Sequence, residues 1–261
     1  MAFPYKQVLM IGATAGIGAA LADRLILEGV KVIAVGRRQE RLDAFVQKHG
    51  KEKASAVRYD ISDREGMDTF VSTVTKAYSE LDCVFLNAGV QSTINLARPE
   101  KIDLAAFHSE VSTNFSSFVD LSIKFLPFLM AKESQTSLIY TSSNLAYVPA
   151  SGLPAYSASK AALNAFILCL RDQLRNSSVK VIELSPPVVQ TELHDYMGQE
   201  KGRQMGMPVG EFTDIAYQEL VSGSDQIIIG TIAGPAEDFQ DVVNKRRKAF
   251  ETLAQFMRGR K

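Results

Sequence analysis

A tyrosine and a lysine stand four residues apart at Tyr156 and Lys160, and Ser143 lies thirteen residues before the tyrosine. Positions i and i+4 of a helix share one face, so the ammonium group can lie beside the phenol. A free tyrosine has a pKa of about 10, and a neighbouring positive charge lowers such a pKa by roughly 1–3 units. The spacing therefore predicts a phenol that works as an acid and a base. The alternative without a catalytic role is a surface tyrosine and a solvated lysine. A Tyr-x-x-x-Lys match arises easily by chance, so the motif alone does not decide between the two.

The start of the chain indicates a nucleotide site. Residues 7–11 form a short apolar run typical of a buried strand, which leads directly into a loop containing Gly12, Gly16 and Gly18. Residues 19–28 then have the pattern of an amphipathic helix, and Gly29 fits its end. Glycines allow a backbone to approach a pyrophosphate closely, and free N–H groups at a helix start bind anions. A glycine loop alone could be a plain turn, but the order strand, loop and helix predicts nucleotide binding.

Several motifs follow one another in a family-specific order: Gly12…Gly16-x-Gly18, Asp60, Asn87-Ala88-Gly89, Asn114, Ser143, Tyr156-x-x-x-Lys160 and Pro186…Thr191. With these motifs the chain resembles the short-chain dehydrogenase/reductases over about residues 7–190. The resemblance implies a doubly wound Rossmann fold, an α/β architecture with a parallel seven-stranded sheet between helices. It also implies one domain over residues 1–261 and an oxidoreductase activity.

The alternation of apolar runs and amphipathic segments agrees with such a fold. The predicted strands are 7–11, 31–35, 54–59, 83–86, 137–141, 179–184 and 225–229. The predicted helices are 19–28, 39–48, 63–79, 104–130, one that carries Tyr156 and ends near 174, and one at 238–257. Pro127 is expected to end or kink the helix at 104–130.

The cofactor residues implied by the resemblance are Gly12, Thr14, Ala15, Gly16, Ile17, Gly18, Arg37, Arg38, Asp60, Ile61, Asn87, Ala88, Gly89, Tyr156, Lys160, Pro186, Val189 and Thr191. NAD-preferring relatives carry an acidic residue at the end of the second strand, where this chain has Gly36 followed by two arginines. Because arginine binds phosphate with paired donors, NADP(H) is expected to be preferred over NAD(H). Otherwise the two arginines are solvated side chains at a helix start, and Asp60 caps the helix that follows it. Pro187 replaces a usual glycine and can change the path of its loop.

The resemblance assigns the catalytic roles to Asn114, Ser143, Tyr156 and Lys160. In reduction, Tyr156 protonates the carbonyl oxygen while the nicotinamide delivers hydride, and Ser143 holds the same oxygen. Lys160 lowers the pKa of Tyr156 and binds the nicotinamide ribose, and Asn114 positions a water in a proton relay. The thirteen-residue spacing selects Ser143 over Ser142, and Asn114 could alternatively only bond a backbone carbonyl.

The substrate residues are expected after the catalytic serine and in a mobile lid at about 192–212. They are Ser143, Leu145, Tyr147, Leu153, Leu193 and Met197, with His194 as a further polar side chain of the lid. Methionines and glycines of the lid form an adaptable apolar wall, or else a short helix packed with methionine as core filler. A small to medium, mostly apolar carbonyl or secondary alcohol is the expected substrate, although Lys201 and Arg203 leave an acidic substituent open.

Composition excludes several classes of partner. The 261 residues have a formal net charge of zero and a pI of about 6.8, which argues against nucleic acid or an anionic membrane as the main partner.

Cys83 and Cys169 lie in apolar segments without metal-ligand spacing and are expected to be buried thiols, which fits a cytoplasmic location. No metal, signal segment or spanning helix is expected. The basic residues 245–248 and 258–261 are interpreted as solvated faces and a favourable helix end.

The sequence therefore predicts an NADP-dependent carbonyl reductase or alcohol dehydrogenase. A redox sensor or scaffold that binds NADP(H) without turnover is the alternative from another class, and a C=N or C=C reductase is an alternative within enzymes. A homodimer through the two long helices is preferred to the tetramer that is common in the family.

Overall fold

The computed structural model describes residues 2–259, and within them the strands form one parallel sheet. The strands are β1 (Gln7–Ile11), β2 (Lys31–Gly36), β3 (Ala54–Arg58), β4 (Cys83–Leu86), β5 (Thr136–Thr141), β6 (Val179–Ser185) and β7 (Gln226–Ile228). Their order across the sheet is β3-β2-β1-β4-β5-β6-β7, and neighbouring strands run parallel throughout. The predicted doubly wound α/β fold with seven parallel strands is confirmed.

Helices connect the strands and cover both faces of the sheet. They are α1 (Gly16–Leu27), α2 (Gln39–His49), α3 (Met67–Ala77), α4 (Leu104–Val111), α5 (Ser117–Met130), α6 (Pro154–Gln173), α7 (Gln199–Gln204), α8 (Val209–Ser222) and α9 (Ala236–Arg258). The helix predicted over 63–79 begins only at Met67, because the Asp63 carboxylate accepts a hydrogen bond from the Gly66 N–H (3.0 Å) and forms a turn there. The helix predicted over 104–130 is interrupted by a wider π-helical turn, Ser112–Ser116, and Pro127 lies in the last turn of α5.

Two apolar layers hold the helices on the sheet. Val8 and Met10 of β1 face one layer, together with residues of α1, α2 and α8. Leu9 and Ile11 face the other layer, with residues of α3, α5 and α6. Successive side chains of a strand point to opposite faces, so a strand covered on both faces is mostly apolar along its whole length. This is why the short apolar runs of the sequence identified the strands.

The two cysteines differ in environment. Cys83 is fully buried in β4, whereas Cys169 is exposed on α6. The prediction of a buried thiol is wrong for Cys169. Each residue of a helix turns by about 100°, so Cys169 faces outward although Leu168 and Leu170 on either side of it are buried.

The C-terminal helix α9 is anchored to the sheet edge by charged side chains. Arg247 donates two hydrogen bonds to the Asp225 carboxylate, at 2.7 and 3.0 Å, and Arg258 pairs with Asp172. Arg258 lies in the last turn of α9, as expected for a favourable helix end, whereas Arg247 makes a structural contact and is not only part of a solvated face. Arg260 and Lys261 of the second basic group lie outside the described residues. Within residues 2–259, no helix is long and apolar enough to cross a membrane.

Candidate active site

A cavity of about 710 Å³ opens along the carboxyl ends of the central strands. It lies at the point where the strand order of the sheet reverses. From β1, the strands β2 and β3 are added on one side, and β4 and the later strands are added on the other. In open parallel sheets such a switch point leaves a crevice between the two sets of loops, and ligands bind there. The volume lies within the range of small-molecule sites, roughly 300–1,000 Å³.

Nearly all of the predicted cofactor residues line this cavity. They are Gly12, Thr14, Ala15, Gly16, Ile17, Arg37, Arg38, Asp60, Ile61, Asn87, Ala88, Gly89, Tyr156, Lys160, Pro186, Val189 and Thr191. Pro187, which stands where a glycine was expected, also lines it. Residues far apart in sequence meet because each follows the carboxyl end of a parallel strand, and those ends share one edge.

Gly18 is the exception among the predicted cofactor residues. It is buried, and a Cβ atom placed on it would lie 2.2 Å from the Gly12 carbonyl oxygen and 2.4 Å from Asn87 Nδ2. Gly18 therefore allows α1 to pack closely against the loop after β1 and does not line the cavity. Gly12 has a φ of 87°, a conformation that favours glycine, and a Cβ there would lie 2.7 Å from the backbone of Ala88.

The start of α1 is suited to an anion. Ala15, Gly16 and Ile17 line the cavity at this helix start. No side chain of the described residues caps the first turn of α1, and the turn contains no acidic residue. The first N–H groups of a helix have no partner within it and carry a partial positive charge. These residues fit a dinucleotide pyrophosphate.

Two arginines that follow β2 contact the loop between β1 and α1 through Thr14. Arg38 donates through Nε and Nη2 to the Thr14 hydroxyl, at 3.1 and 3.0 Å, and through Nη1 to the Glu192 carboxylate at 2.8 Å. Arg41, one helical turn further on, also binds Glu192. The sequence interpretation missed Arg41 and Glu192. The three-residue spacing from Arg38 could have indicated Arg41, but only the fold brings Glu192 to this place.

Asp60 lies beside Arg37, with Oδ2 3.7 Å from Arg37 Nη1. Its Oδ1 accepts hydrogen bonds from both the N–H and the hydroxyl of Ser62. Burial raises the pKa of Asp60, but the bonds from Ser62 and the charge of Arg37 outweigh it and leave this pKa lowered. Asp60 thus closes a turn at the Arg37 end of the cavity and does not cap α3, which begins after Gly66.

Tyr156 and Ser143 come together on the cavity wall between β5 and α6. Both are nearly buried, and both line the cavity. Burial raises the pKa of Tyr156 to about 12, against a lowering effect of its hydrogen bond with Ser143. Ser142 does not line the cavity, and its buried hydroxyl has no hydrogen-bond partner among the described residues. The geometry thus agrees with the choice of Ser143 over Ser142.

Lys160 lies on the same face of α6 as Tyr156, with Nζ 5.7 Å from the centre of the tyrosine ring. Nζ donates a hydrogen bond to the Thr141 carbonyl at 2.8 Å. Burial lowers the pKa of Lys160 to about 7, against the opposing effect of the Glu183 charge. A large part of this amine is therefore neutral near pH 7. Burial acts on both groups and favours their neutral forms, and the lowering of the Tyr156 pKa by Lys160 stays a prediction.

Asn114 lies behind the cavity wall rather than on it. It is fully buried in the π-helical turn, and its amide pairs with both backbone groups of Val90: Oδ1 accepts from N–H (2.9 Å) and Nδ2 donates to the carbonyl (2.8 Å). Nδ2 also lies 3.2 Å from the Ser159 hydroxyl. The side chain of Asn114 thus fixes the loop after β4, which agrees with the alternative of a bond to a backbone carbonyl, and its role in a water relay stays a prediction.

The substrate side contains some of the expected residues. Leu145, Leu153 and Leu193 line the cavity, whereas Tyr147 and Met197 do not. The Tyr147 hydroxyl is held on the other side of the segment by Glu183 (3.1 Å), Asn164 and Gln226. Within the 3₁₀ turn Glu192–Met197, Tyr196 follows Leu193 by one turn and takes the place expected for Met197.

Other lining residues were not foreseen. Gln91 contributes from the loop after β4, Thr113 from the π-helical turn after α4, and Thr231 and Ile232 from the loop after β7. Gln91 Nε2 donates to the Tyr196 hydroxyl at 2.8 Å and so connects the loop after β4 with the predicted lid. The general rule that loops after parallel strands converge could have indicated Thr231, which follows the last predicted strand.

His194 lines the cavity and is nearly buried. Its Nδ1 has no hydrogen-bond partner in the part of the chain that the structure describes. Burial lowers the pKa of His194, although a hydrogen bond to the Val189 backbone opposes the shift. The imidazole is therefore held in its neutral form, and its unpaired Nδ1 is buried and not exposed to the cavity. Across residues 2–259, no group of three or more His, Cys, Asp or Glu side chains could hold a metal ion.

Comparison with known proteins gives consistent matches. A family model described as short chain dehydrogenase matches residues 6–202. The chain is 34% identical over 234 residues to the uncharacterized oxidoreductase DltE of Bacillus subtilis (strain 168), which is 88% of this chain and 90% of that protein.

Solved structures match over most of their length. The closed form of a serine dehydrogenase complexed with NADP+ has a TM-score of 0.77 at 25% identity, covering 88% of this chain and 98% of that one. A short-chain dehydrogenase/reductase from Burkholderia phymatum in complex with NAD has a TM-score of 0.79 at 18% identity, covering 87% and 90%. The second likeness concerns the fold alone.

Proposed function

The chain belongs to the short-chain dehydrogenase family and is an oxidoreductase acting on hydroxyl or carbonyl groups; we propose that it uses NADP(H) to interconvert a carbonyl and a secondary alcohol. The substrate we propose is small to medium in size and mostly apolar. The observation that supports this most is that one cavity joins Ser143, Tyr156 and Lys160 to Arg38. Arg38 follows β2 and Ser143 follows β5, and β1 and β4 lie between these strands, so the cavity is long enough for an extended dinucleotide.

The residues present fit NADP(H). The uncapped start of α1 would hold the pyrophosphate, and Arg37 and Arg38 would hold the 2′-phosphate. Val189 and Thr191 would hold the nicotinamide end, and Lys160 the adjoining ribose. When bound, the nicotinamide supplies or accepts the hydride. The preference for NADP(H) over NAD(H) rests on the arginines and on Gly36, which stands where an acidic residue would bind the ribose hydroxyls of NAD(H).

Tyr156 is the proposed proton donor in the direction of reduction. With its pKa raised to about 12 by burial, its hydroxyl is protonated at neutral pH and ready to donate to a developing alkoxide. Ser143 would donate a second hydrogen bond to the same oxygen, which is the kind of stabilisation that acts on developing charge. Protonated Lys160 would return a proton to the Tyr156 phenolate after each donation and then take up another from solvent, because its pKa of about 7 lets it exchange protons near neutrality.

The proposed substrate class follows from the wall beyond Ser143. Leu145, Leu153 and Leu193 are apolar, and Met205 and Ile232 extend this surface. His194 and Gln91 supply the polar groups there. The proposed lid at 192–212 comprises the 3₁₀ turn, α7 and the first residues of α8. The cytoplasmic location and the homodimeric or homotetrameric state stay predictions.

The experiment that tests this function is turnover of NADPH with a panel of apolar and acidic carbonyls, followed by its absorbance. We expect Tyr156→Phe to lower turnover by about 10²–10⁴-fold, the usual contribution of a general acid. Binding of NADPH, measured by calorimetry, should stay within about threefold of the unchanged protein, because the phenol ring remains.

Equal rates with NADH and NADPH would contradict the cofactor preference. Unchanged turnover in Tyr156→Phe would contradict the assigned acid. Tight binding of NADPH without turnover on the panel would favour the sensor or scaffold alternative, or a C=N or C=C substrate.

A further inference from the structure

The Glu192 carboxylate is already paired with two arginines at the end of the cavity where the adenosine is proposed to bind. Glu192 Oε2 accepts from Arg38 Nη1 at 2.8 Å and from Arg41 Nη1 at 3.1 Å, and its Oε1 lies 2.9 Å from Arg41 Nη2. Both carboxylate oxygens are therefore bound to arginine. The bonds from Arg41 and Arg38, against a smaller effect of burial, lower the pKa of Glu192, so that it is ionised near neutral pH.

The cluster connects the opposite walls of the cavity. Arg38 follows β2, whereas Glu192 follows the strand β6 and Thr191, and both residues line the cavity. Thr14 completes the cluster: its hydroxyl accepts from Arg38, and its carbonyl accepts from Arg41 Nη1 at 3.0 Å. The cluster is partly exposed, with the Arg38 and Glu192 side chains 39% and 30% accessible, so an incoming anion can reach it.

We propose that Glu192 is a specificity-determining residue that competes with the cofactor's 2′-phosphate for Arg38 and thereby limits the preference for NADP(H) over NAD(H). This inference rests on the proposed use of NADP(H). A carboxylate and a phosphate take the same donors of a guanidinium fork, and they repel each other when both are present. A 2′-phosphate can therefore bind Arg38 fully only when Glu192 gives up its bond there.

Glu192 can give up its bond to Arg38 without being left unpaired. Arg41 contacts both of its oxygens, so Arg41 can retain the carboxylate while Arg38 turns to the phosphate. Arg37 is the other cation at this end of the cavity; its side chain is 68% exposed, and its nearest carboxylate, on Asp60, is 3.7 Å away. An unphosphorylated adenosine does not need Arg38 and leaves the pair with Glu192 intact.

The test compares 2′,5′-ADP with 5′-AMP, which differ only by the 2′-phosphate, by calorimetry at fixed ionic strength. We expect Glu192→Gln to bind 2′,5′-ADP about 3- to 10-fold more tightly than the unchanged protein, the range typical of a partly exposed ion pair and one added repulsion. Binding of 5′-AMP should change less than about twofold.

Asp195→Asn is the matched control. Asp195 belongs to the same 3₁₀ turn, but it pairs with Arg203 of α7, at 2.7 and 2.9 Å, and does not line the cavity. Its removal takes away one negative charge from the same segment and should leave both affinities unchanged. The double variant Arg38→Gln/Glu192→Gln should lose most of the gain, because the gain acts through Arg38.

The proposed function and this inference fail in different ways. An unchanged protein that binds 2′,5′-ADP no better than 5′-AMP contradicts the NADP(H) preference. If the Glu192→Gln variant nevertheless binds 2′,5′-ADP more tightly than 5′-AMP, the competition by Glu192 is still supported. The inference is overturned when Glu192→Gln leaves 2′,5′-ADP binding unchanged or weaker, when 5′-AMP gains equally, or when Asp195→Asn produces the same gain.

Discussion

At the scale of single residues, two adjacent serines show how little separates a candidate catalytic group from a buried one. Ser142 and Ser143 are both nearly inaccessible, yet only Ser143 lines the cavity and lowers the pKa of Tyr156 against the effect of burial. Ser142 and Ser143 follow β5, where the chain leaves the sheet and its side chains no longer alternate regularly. The spacing to Tyr156 indicated Ser143, and the geometry gives the physical reason for the choice.

We expect Ser143→Ala to lower kcat for carbonyl reduction by about 10²-fold, the usual effect of removing one hydrogen-bond donor to a developing oxyanion. The measurement is steady-state turnover of NADPH with the best carbonyl of the panel. Ser142→Ala is the matched control and should retain kcat within about twofold, because its hydroxyl has no partner within residues 2–259. Equal losses in both variants would contradict the assignment.

Lys160 and Tyr156 show where reasoning from spacing alone stops. The four-residue spacing correctly predicted a shared helix face, since Nζ lies 5.7 Å from the ring centre. It could not predict that both groups are almost completely buried, 2% and 6% accessible, and that burial dominates their pKa values. Burial depends on how α6 packs against the sheet, which no short motif describes.

At the scale of elements, the glycine loop serves two separate purposes. Residues around Gly16 open α1 toward the cavity, whereas Gly18 permits α1 to approach the loop after β1. The sequence motif contains both functions without distinguishing them. Close packing at Gly18 positions the free N–H groups of α1, so a change there should act on stability and on anion binding together.

We expect Gly18→Ala to lower the free energy of unfolding by about 1–3 kcal/mol, the usual cost of overpacking, and to weaken 2′,5′-ADP binding. The added methyl group would lie 2.2 Å from the Gly12 carbonyl oxygen, a rigid backbone atom. Urea denaturation and calorimetry are the measurements.

Gly210→Ala provides the control for this prediction. Gly210 lies in α8, and an added Cβ there meets no atom within 4 Å among the described residues. It should stabilise the protein by about 0.4–1 kcal/mol, because alanine loses less backbone entropy in a helix. A Gly18→Ala variant as stable as the unchanged protein would show that α1 shifts freely.

At the scale of the whole molecule, α9 closes the fold at the edge of the sheet. Only Phe239, Val243 and Ala254 of this helix are buried, so apolar packing alone holds it weakly. Arg247 adds a bidentate pair with Asp225, whose carboxylate also lies 3.3 Å from Arg171 of α6. Burial raises the pKa of Asp225, but the two arginines outweigh it and leave this pKa lowered. Its stabilising effect is thus present above the unfolded carboxyl pKa and is lost as the pH falls through the folded one.

We expect Arg247→Met to speed amide hydrogen exchange in α9 by about 3- to 10-fold, the range for a partly buried bidentate pair, with β1 unaffected. The methionine keeps the apolar stem of the side chain, so the change tests the charge pair. Lys245→Met is the control, since Lys245 pairs with Asp241 on the outer face with both side chains mostly exposed. Faster exchange across the whole sheet would indicate global destabilisation instead of local release of α9.

The sequence by itself determined the fold class, the strand positions, the family and nearly all of the proposed cofactor residues that line the cavity. Those properties depend on local patterns: buried strands are mostly apolar along their length, and loops after parallel strands meet at one edge. Tertiary structure alone decided that Gly18 packs against a loop, that Tyr147 and Met197 lie off the cavity, and that Cys169 faces solvent. It also decided the pairing of Glu192 with Arg38, 154 residues away. Contacts and burial of this kind depend on which elements pack together, and a sequence pattern records only the neighbours along the chain.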